Sequence, residues 1–407
     1  MTDVHVAPTP DWATEFDHTS DAYAAVAPEV WDELRSGCPV AHTDAHGGVW
    51  MPTRHADISA IAHDTENFSS EGVIVNVFKP EGLAPMGYAP PITSDPPFHA
   101  DARRLLLPAF GPNAIAGLTD GARATCQELL DELLVPGVDV VDAAQAYAQH
   151  IPVRVIADML GLPKEDGDRF RMFIHRILEK PGEYSGTLKY EDTLIHYLSE
   201  HLRRRRNEPA QDDLIGFLLD VEVDGERLAD EHIFGTVALL IIAGIDTTWS
   251  AIGASLWHLA QHPADRVRLA TDPDVLPFAI EEFLRFYAPV TMARIAATDT
   301  EIGGCPVAER DWVLLPFPAA NRDPEAFDQA DEFIIDRQRN RHVAFGLGIH
   351  RCLGSNLARL ELTVAIDEWM RRIPDFDLAD PSAVRWSTGQ VRGPRELPIR
   401  ILTTAGA

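Results

Sequence analysis

Residues 345–354 read Phe-Gly-Leu-Gly-Ile-His-Arg-Cys-Leu-Gly and run directly into an amphipathic stretch that begins at Ser355. Gly346 and Gly348 permit a tight loop with backbone angles that other residues avoid. Cys352 falls just ahead of the helix N-terminus, where unpaired N–H groups and the helix dipole favour an anion, so this is a place where a thiolate is stabilised. Alone, the loop has plainer readings. Gly-x-Gly also opens dinucleotide loops, but the third glycine of that motif is replaced here by Arg351, and no strand and helix flank it in βαβ order. A free cysteine, by residue type, is most often a small buried hydrophobe.

Three further constellations carry chemistry. Glu282 and Arg285 lie three apart in a periodic helical stretch and can pair with each other and with a third charge, although such pairs are common and mostly superficial. Ala243-Gly244-Ile245-Asp246-Thr247-Thr248 sits in the middle of a long apolar helical pattern. Glycine beside an acid and two threonines is a poor mid-helix choice, so something other than propensity selects it. By residue type alone, Thr247 bonds back to its own helix and Asp246 caps or faces water. Finally, His99 and Arg103 follow Asp95-Pro96-Pro97 and are four apart on one helix face, a pair of donors suited to an anion.

Together, F-G-x-G-x-H-x-C-x-G, the upstream E-x-x-R, the A-G-x-D-T-T segment and D-P-P followed by H-x-x-x-R resemble the motif set of the cytochrome P-450 family. The resemblance spans essentially the whole chain. It implies a mainly α fold with a minor β part, a single large heme domain over residues 1–407, and heme b as cofactor. Cys352 would be the axial ligand of the iron, in a loop shaped by Phe345, Gly346, Gly348 and Gly354. His99, Arg103, Arg294 and His350 would contact the propionates. Glu282, Arg285 and Arg337 would form a buried structural network behind the heme. Ala243 and Gly244 would lie where the oxygen-activation helix opens locally, with Thr247 hydrogen-bonded to bound oxygen and Asp246 relaying protons from solvent.

The implied activity is insertion of one atom of O2 into a small organic substrate: hydroxylation, O-dealkylation or epoxidation. Residues 73–88, 171–178, 239–247, 290–292 and 390–391 match the family's pocket segments. They offer Val75, Phe78, Met86, Ile177, Leu240, Val290, Met292 and Val391, with little fixed charge apart from Lys79, Arg171 and Arg176. An apolar terpenoid, aromatic or aliphatic substrate follows, with a carboxylate-bearing one held by Arg or Lys as the lesser alternative. Peroxide-driven or isomerising chemistry, or heme sensing without turnover, are the other classes; the Asp246-Thr247 pair favours the monooxygenase. No dinucleotide loop, flavin domain or cysteine-rich iron–sulfur segment is present, so electrons are expected from a separate ferredoxin and its reductase. Docking is expected on the Cys352 side, at Arg104, Arg351 and Arg359.

These residues need helices to position them. Apolar residues recur at three- and four-residue spacing over residues 121–134, 143–160, 193–206, 230–261, 276–287 and 355–372. Short β-rich pieces lie at 48–51, 300–302 and 312–315, with Gly303-Gly304 as a turn. Composition agrees with a compact chain: of 407 residues, 45% are hydrophobic and 24% charged. With 35 basic against 63 acidic side chains the net charge is −28, which repels phosphate backbones and anionic lipid and excludes nucleic acid or a membrane surface as partners. The longest apolar run, 233–245, is broken by Asp246 short of the roughly 20 residues a membrane span needs. Four scattered cysteines and an acidic, proline-bearing N-terminus fit a reducing, cytoplasmic setting. A monomer is the simplest state, and His201 and the run Arg203 to Arg206 read as solvated.

Overall fold

The computed structural model describes residues 10–75, 88–179 and 189–404. About half of the chain is helical and a smaller part forms sheets, a mainly α fold with a minor β part. Its axis is the helix Asp230–Gln261, which begins with Asp230 and Glu231 in the first turn, where acids complement the dipole. Apolar residues surround it on nearly every side, the pattern of a helix enclosed by others. Its most apolar stretch is long enough to cross a membrane by length and composition, yet 78% of that stretch is buried inside the fold. Asp246, which in the sequence ends the apolar run, is itself fully buried at 0% exposure.

Two apolar cores meet along this helix. On one side Leu129, Tyr147, Leu256, Phe283 and Trp369 gather where Ser355–Arg372 packs against both Asp230–Gln261 and Thr119–Leu133. On the other, Ile156, Phe170, Phe173, Ile215, Ile241 and Ile245 join it to His150–Leu160. Residues 143–160 do not form one helix: a π-helical turn, Ala144–Ala148, precedes His150–Leu160 and turns Tyr147 inward, so that its hydroxyl donates to the Ala365 carbonyl at 2.8 Å. The run at 203–206 is not uniformly solvated either. Arg205 is 5% exposed and its guanidinium grips both oxygens of Asp213 at 2.9 and 3.0 Å, while His201 is 6% exposed. The apolar face of Leu194–Arg205 carries both inward, which a charge run in one dimension cannot reveal.

The main sheet has five strands in the order Val40–Thr43, Val49–Pro52, Trp312–Pro316, Thr291–Ala296, Phe68–Ser69. In the middle of it, Trp312 pairs with Ile295 and Leu315 with Met292 in antiparallel register. Because side chains alternate along a strand, Met292 and Arg294 project from the same face of Thr291–Ala296. Gly303 and Gly304, at φ +56° and +89°, turn Thr300–Ile302 back onto Cys305–Val307.

Candidate active site

The loop before Ser355–Arg372 is held by backbone bonds: the Cys352 N–H donates to Phe345 O at 2.7 Å, and Gly346 N–H to Val343 O at 2.8 Å. Gly346 and Gly348 take φ +68° and +65°. A Cβ at residue 348 would lie 2.2 Å from the Ala62 carbonyl oxygen, so only glycine lets the loop close against His55–His63. Cys352 is free and keeps an accessible face. Dense protein around the sulfur pushes its thiol pKa up, while the Gly354 N–H and the charges of Arg103, Arg351 and Arg359 pull it down without fully compensating. The helix N-terminus alone therefore does not make a thiolate here. A cation bonded to the sulfur would, since coordination deprotonates a thiol outright.

Beside the loop stands a cluster of donors. His99 is 4% exposed and Arg294 4% exposed, and the rings of His99 and His350 meet edge to face at 4.4 Å. His99 Nε2 is buried without a hydrogen-bond partner. His350 Nε2 lies 2.8 Å from Ser70 Oγ. Burial, and then the neighbouring Arg294, His99 and Arg103, depress the His350 pKa to about 2. Burial lowers Arg294 to about 10, only partly offset by Asp95, and also lowers Arg103, there opposed by Cys352. Asp95, the acid felt by His99 and Arg294, is already engaged by Ser69 Oγ at 2.5 Å and Ser70 N–H at 2.9 Å. Four cationic or donor groups pressing on one another with so little acid among them suit a ligand that brings its own carboxylates.

Above them, the helix Asp230–Gln261 is unbroken through Ala243, Gly244, Asp246 and Thr247. The local opening implied by the resemblance is absent from the backbone. Instead the Thr247 hydroxyl donates to the Ala243 carbonyl at 2.9 Å, the ordinary back-bond of a helical threonine. Gly244 faces Ile156, which a Cβ would meet at 3.4 Å, an ordinary van der Waals contact. Asp246 is not at the surface. Its Oδ1 takes Arg395 Nη2 at 2.5 Å, and its Oδ2 is buried with no partner. Burial raises its pKa to about 6, against the pull of Arg395 and with a push from Glu179. Arg395 also reaches Ser250 Oγ at 3.0 Å, lies over the Trp249 ring at 4.2 Å and pairs with Glu179. Burial pushes Glu179 up, but Arg395 and His175 together outweigh it and hold its carboxyl below the usual range. A second buried acid, Glu361 on Ser355–Arg372, is 1% exposed and raised by burial to about 8, with Thr248 hydrogen-bonded to it.

An apolar cavity of about 680 Å³, mouth included, opens against Ala243 and Thr247. Ile177, Val290, Met292 and Val391 line it, together with Val73, Ile74, Ala89, Ile92, Thr93, Leu178, Leu239, Ile242 and Gln390. Two sequence-predicted lining residues are placed elsewhere: Val75 is 1% exposed in the core under the main sheet, and Leu240 faces the helix His150–Leu160 side of the core. Residues 239, 242, 243 and 247 recur at three and four along one helix face, and residue 240 lies about 100° away from 239. Phe78 and Met86 lie outside the described residues. Gln390 Nε2 donates to Val73 O at 3.2 Å, tying two walls together.

Behind the loop, Glu282 is fully buried at 0% exposure. Arg285 grips both its oxygens at 2.8 Å, Arg337 Nε reaches both at 3.1 Å, and Asn340 Nδ2 and the Ile334 N–H add bonds at 3.0 and 2.8 Å. Arg285 then donates to the carbonyls of Asn321, Ala330 and Glu332, locking the segment that leads to the loop. On the outer face, Arg104 is 72% exposed beside Asp101, and Arg351 is exposed. Arg359 differs: Glu281 clamps it at 2.6 and 2.8 Å, and His342 joins the same carboxylate at 3.0 Å. Asn340, Glu361, Arg395 and Glu179 went unseen in the sequence. None stands in a motif, and Arg395 and Asp246 are 149 residues apart.

Residues 54–376 match the family model described as cytochrome P-450. The chain is 32% identical over 363 residues to cytochrome P-450 107B1 of Saccharopolyspora erythraea, covering 86% of this chain and 89% of that one. It is 30% identical over 388 residues to the mycinamicin IV hydroxylase/epoxidase of Micromonospora griseorubida, covering 93% and 97%. It superimposes with a TM-score of 0.84 on the crystal structure of CYP109E1 from Bacillus megaterium in complex with testosterone, at 30% identity, covering 94% of this chain and 100% of that one.

Proposed function

The chain belongs to the cytochrome P-450 family of heme b monooxygenases, and from that premise we propose that it oxygenates a small, mainly apolar organic molecule, with electrons from a separate ferredoxin and reductase. The observation that carries this reading is the apolar cavity lying against Ala243 and Thr247 with the buried acid Asp246 in the same helical turn. Heme supplies iron that binds and activates O2. The residues fit it: Cys352 offers one accessible sulfur, and His99, Arg103, Arg294 and His350 offer donors for the two propionates.

The chain's own part is binding, orientation and proton supply. The cavity walls desolvate an apolar substrate, and each buried CH2 contributes about 0.8 kcal/mol to holding it. Among the described residues Thr93, Thr247 and Gln390 are its polar lining groups, which favours selection of the substrate by shape. Thr247 Oγ1 is positioned to give up its Ala243 bond and hydrogen-bond to a ligand in the cavity. Asp246 holds a proton at Oδ2 in a fraction of molecules at neutral pH and passes it into the site, while Arg395 fixes its other oxygen. A relative named as a mycinamicin IV hydroxylase/epoxidase and a solved neighbour in complex with testosterone support oxygenation of an organic substrate, testosterone itself being mainly apolar. We place the reaction in the cytoplasm.

The test is the carbon monoxide difference spectrum of the reduced protein, followed by titration of the ferric form with apolar ligands. The red-shifted Soret band of a thiolate ligand is expected, and Cys352→Ser is expected to abolish it; an unaltered band in that variant would remove Cys352 as the ligand. For the electron donor, exposure favours Arg104 and Arg351 over the clamped Arg359. Arg351→Glu is expected to slow ferredoxin-dependent reduction several-fold at low ionic strength, with the deficit shrinking as salt is added. Reduction kinetics indistinguishable from wild type at low salt would move the docking surface elsewhere.

A further inference from the structure

Away from the heme pocket, Asp17, His18 and His46 converge where the N-terminal segment crosses the turn between Val40–Thr43 and Val49–Pro52. His18 is 4% exposed, and its Nε2 lies 3.2 Å from the Val75 carbonyl oxygen. A carbonyl only accepts, so Nε2 carries the proton and Nδ1 bears a lone pair. That Nδ1 is buried and has no partner. An imidazole whose N–H is fixed on a backbone carbonyl, with the other nitrogen bare, is oriented as metal-binding histidines are.

His46, whose side chain is 6% exposed, brings Nε2 to 2.9 Å from Asp17 Oδ1. Asp17 Oδ1 is held in turn by the N–H and hydroxyl of Thr19 at 2.9 and 2.7 Å. A hydrogen bond between Asp17 and His46 accounts for those two groups and leaves the bare nitrogen of His18 unexplained. We propose that Asp17, His18 and His46 bind one divalent cation of the zinc type, through a carboxylate oxygen, His18 Nδ1 and His46 Nε2, with water completing the coordination.

The dimensions suit that ion. Two ligand atoms about 2.05 Å from one zinc stand roughly 2.9 Å apart at 90° and roughly 3.3 Å apart at the tetrahedral angle. The Asp17–His46 contact is already there, and each of the three residues offers a potential ligand atom within 4.8 Å of those of the other two, a spacing that a small closure around an ion would bring to coordination distance. Two imidazoles and one carboxylate select a borderline metal over Mg2+ or Ca2+. Asp17 is 40% exposed, which leaves a side open for water. A bound ion would pin the N-terminal segment to the chain at Val75, adjoining the cavity residues Val73 and Ile74.

The experiment is equilibrium dialysis of tag-free, heme-loaded protein, stripped with chelator, against Zn2+, with zinc counted by elemental analysis and thermal stability recorded in parallel. His46 sits at φ +53°, which asparagine tolerates, so His46→Asn removes the ligand without straining the turn. Wild type should take up one zinc per chain more tightly than any remaining histidine-dependent background and melt at a higher temperature with zinc; Mg2+ should do neither. His46→Asn should weaken that one equivalent at least ~10-fold and lose the thermal shift. No stoichiometric equivalent in wild type, or equal zinc uptake and thermal shift in His46→Asn, would overturn the site. Because the readout is metal content, the result is independent of the oxygenation reading.

Discussion

Asp246→Asn is expected to lower product formation at pH 7 by about 10²–10⁴-fold, the range a positioned proton donor supplies, while the protein stays folded and keeps its heme. Asparagine has nearly the same shape and still accepts from Arg395, but it carries no transferable proton. Asp246 is fully buried and its pKa is raised to about 6. Above that value its protonated fraction falls about tenfold per pH unit, so where proton delivery limits the rate, wild-type turnover should decline as pH rises from 6 to 8. The variant should show no such slope.

Stability gives an independent sign. A carboxyl whose folded pKa lies above its unfolded value contributes stability that is complete below the unfolded pKa and is lost as pH rises through the folded one. For Asp246 that window runs from about 4 to about 6, and the ionised group costs about 3 kcal/mol at neutral pH. Asp246→Asn should therefore melt no lower than wild type at pH 8, with its relative advantage fading toward pH 4. Retention of more than a third of the wild-type rate at pH 7 would remove Asp246 from the proton path, and a variant that melts lower at pH 8 would mean that its activity loss comes from unfolding.

The other large effect is structural. Glu282→Ala removes the acceptor shared by Arg285, Arg337, Asn340 and the Ile334 N–H and leaves two guanidiniums buried without their counter-ion. Breaking a buried pair from one side costs about 3–5 kcal/mol, against a total stability of about 5–15 kcal/mol for a typical domain. Urea unfolding should shift to markedly lower concentration, and heme retention should fall, since Arg285 also fixes three carbonyls in the segment leading to Cys352. Glu282→Gln keeps the shape and should lose less. A Glu282→Ala midpoint within error of wild type would show that the network contributes nothing to stability.

Much of this was legible in one dimension because it depends on local pattern. The long helix reads at 230–261 and folds as Asp230–Gln261; the last one reads at 355–372 and folds as Ser355–Arg372. Apolar spacing dominates long helices, so their ends are written by where the pattern stops. Short elements follow less closely, as the π-helical break at Ala144–Ala148 shows. There the burial of Tyr147 and its bond to Ala365 decide the backbone, and both partners lie far apart in sequence. The same holds for Arg205, whose neighbours in a charge run say solvent while Asp213 and a buried face say core.

The sequence by itself determined the family, the mainly α fold and the residue types of the site, because glycine-dependent loops, i,i+3 pairs and an acid–threonine step are short-range statements. Tertiary structure alone decided the state of those groups. It buried Asp246 under Arg395, coupled Glu361 to Thr248, rotated Leu240 away from the cavity and Leu239 into it, and clamped Arg359 on Glu281. Burial and charge pairing depend on which distant segments pack together, and no local pattern encodes the distance between residues 246 and 395.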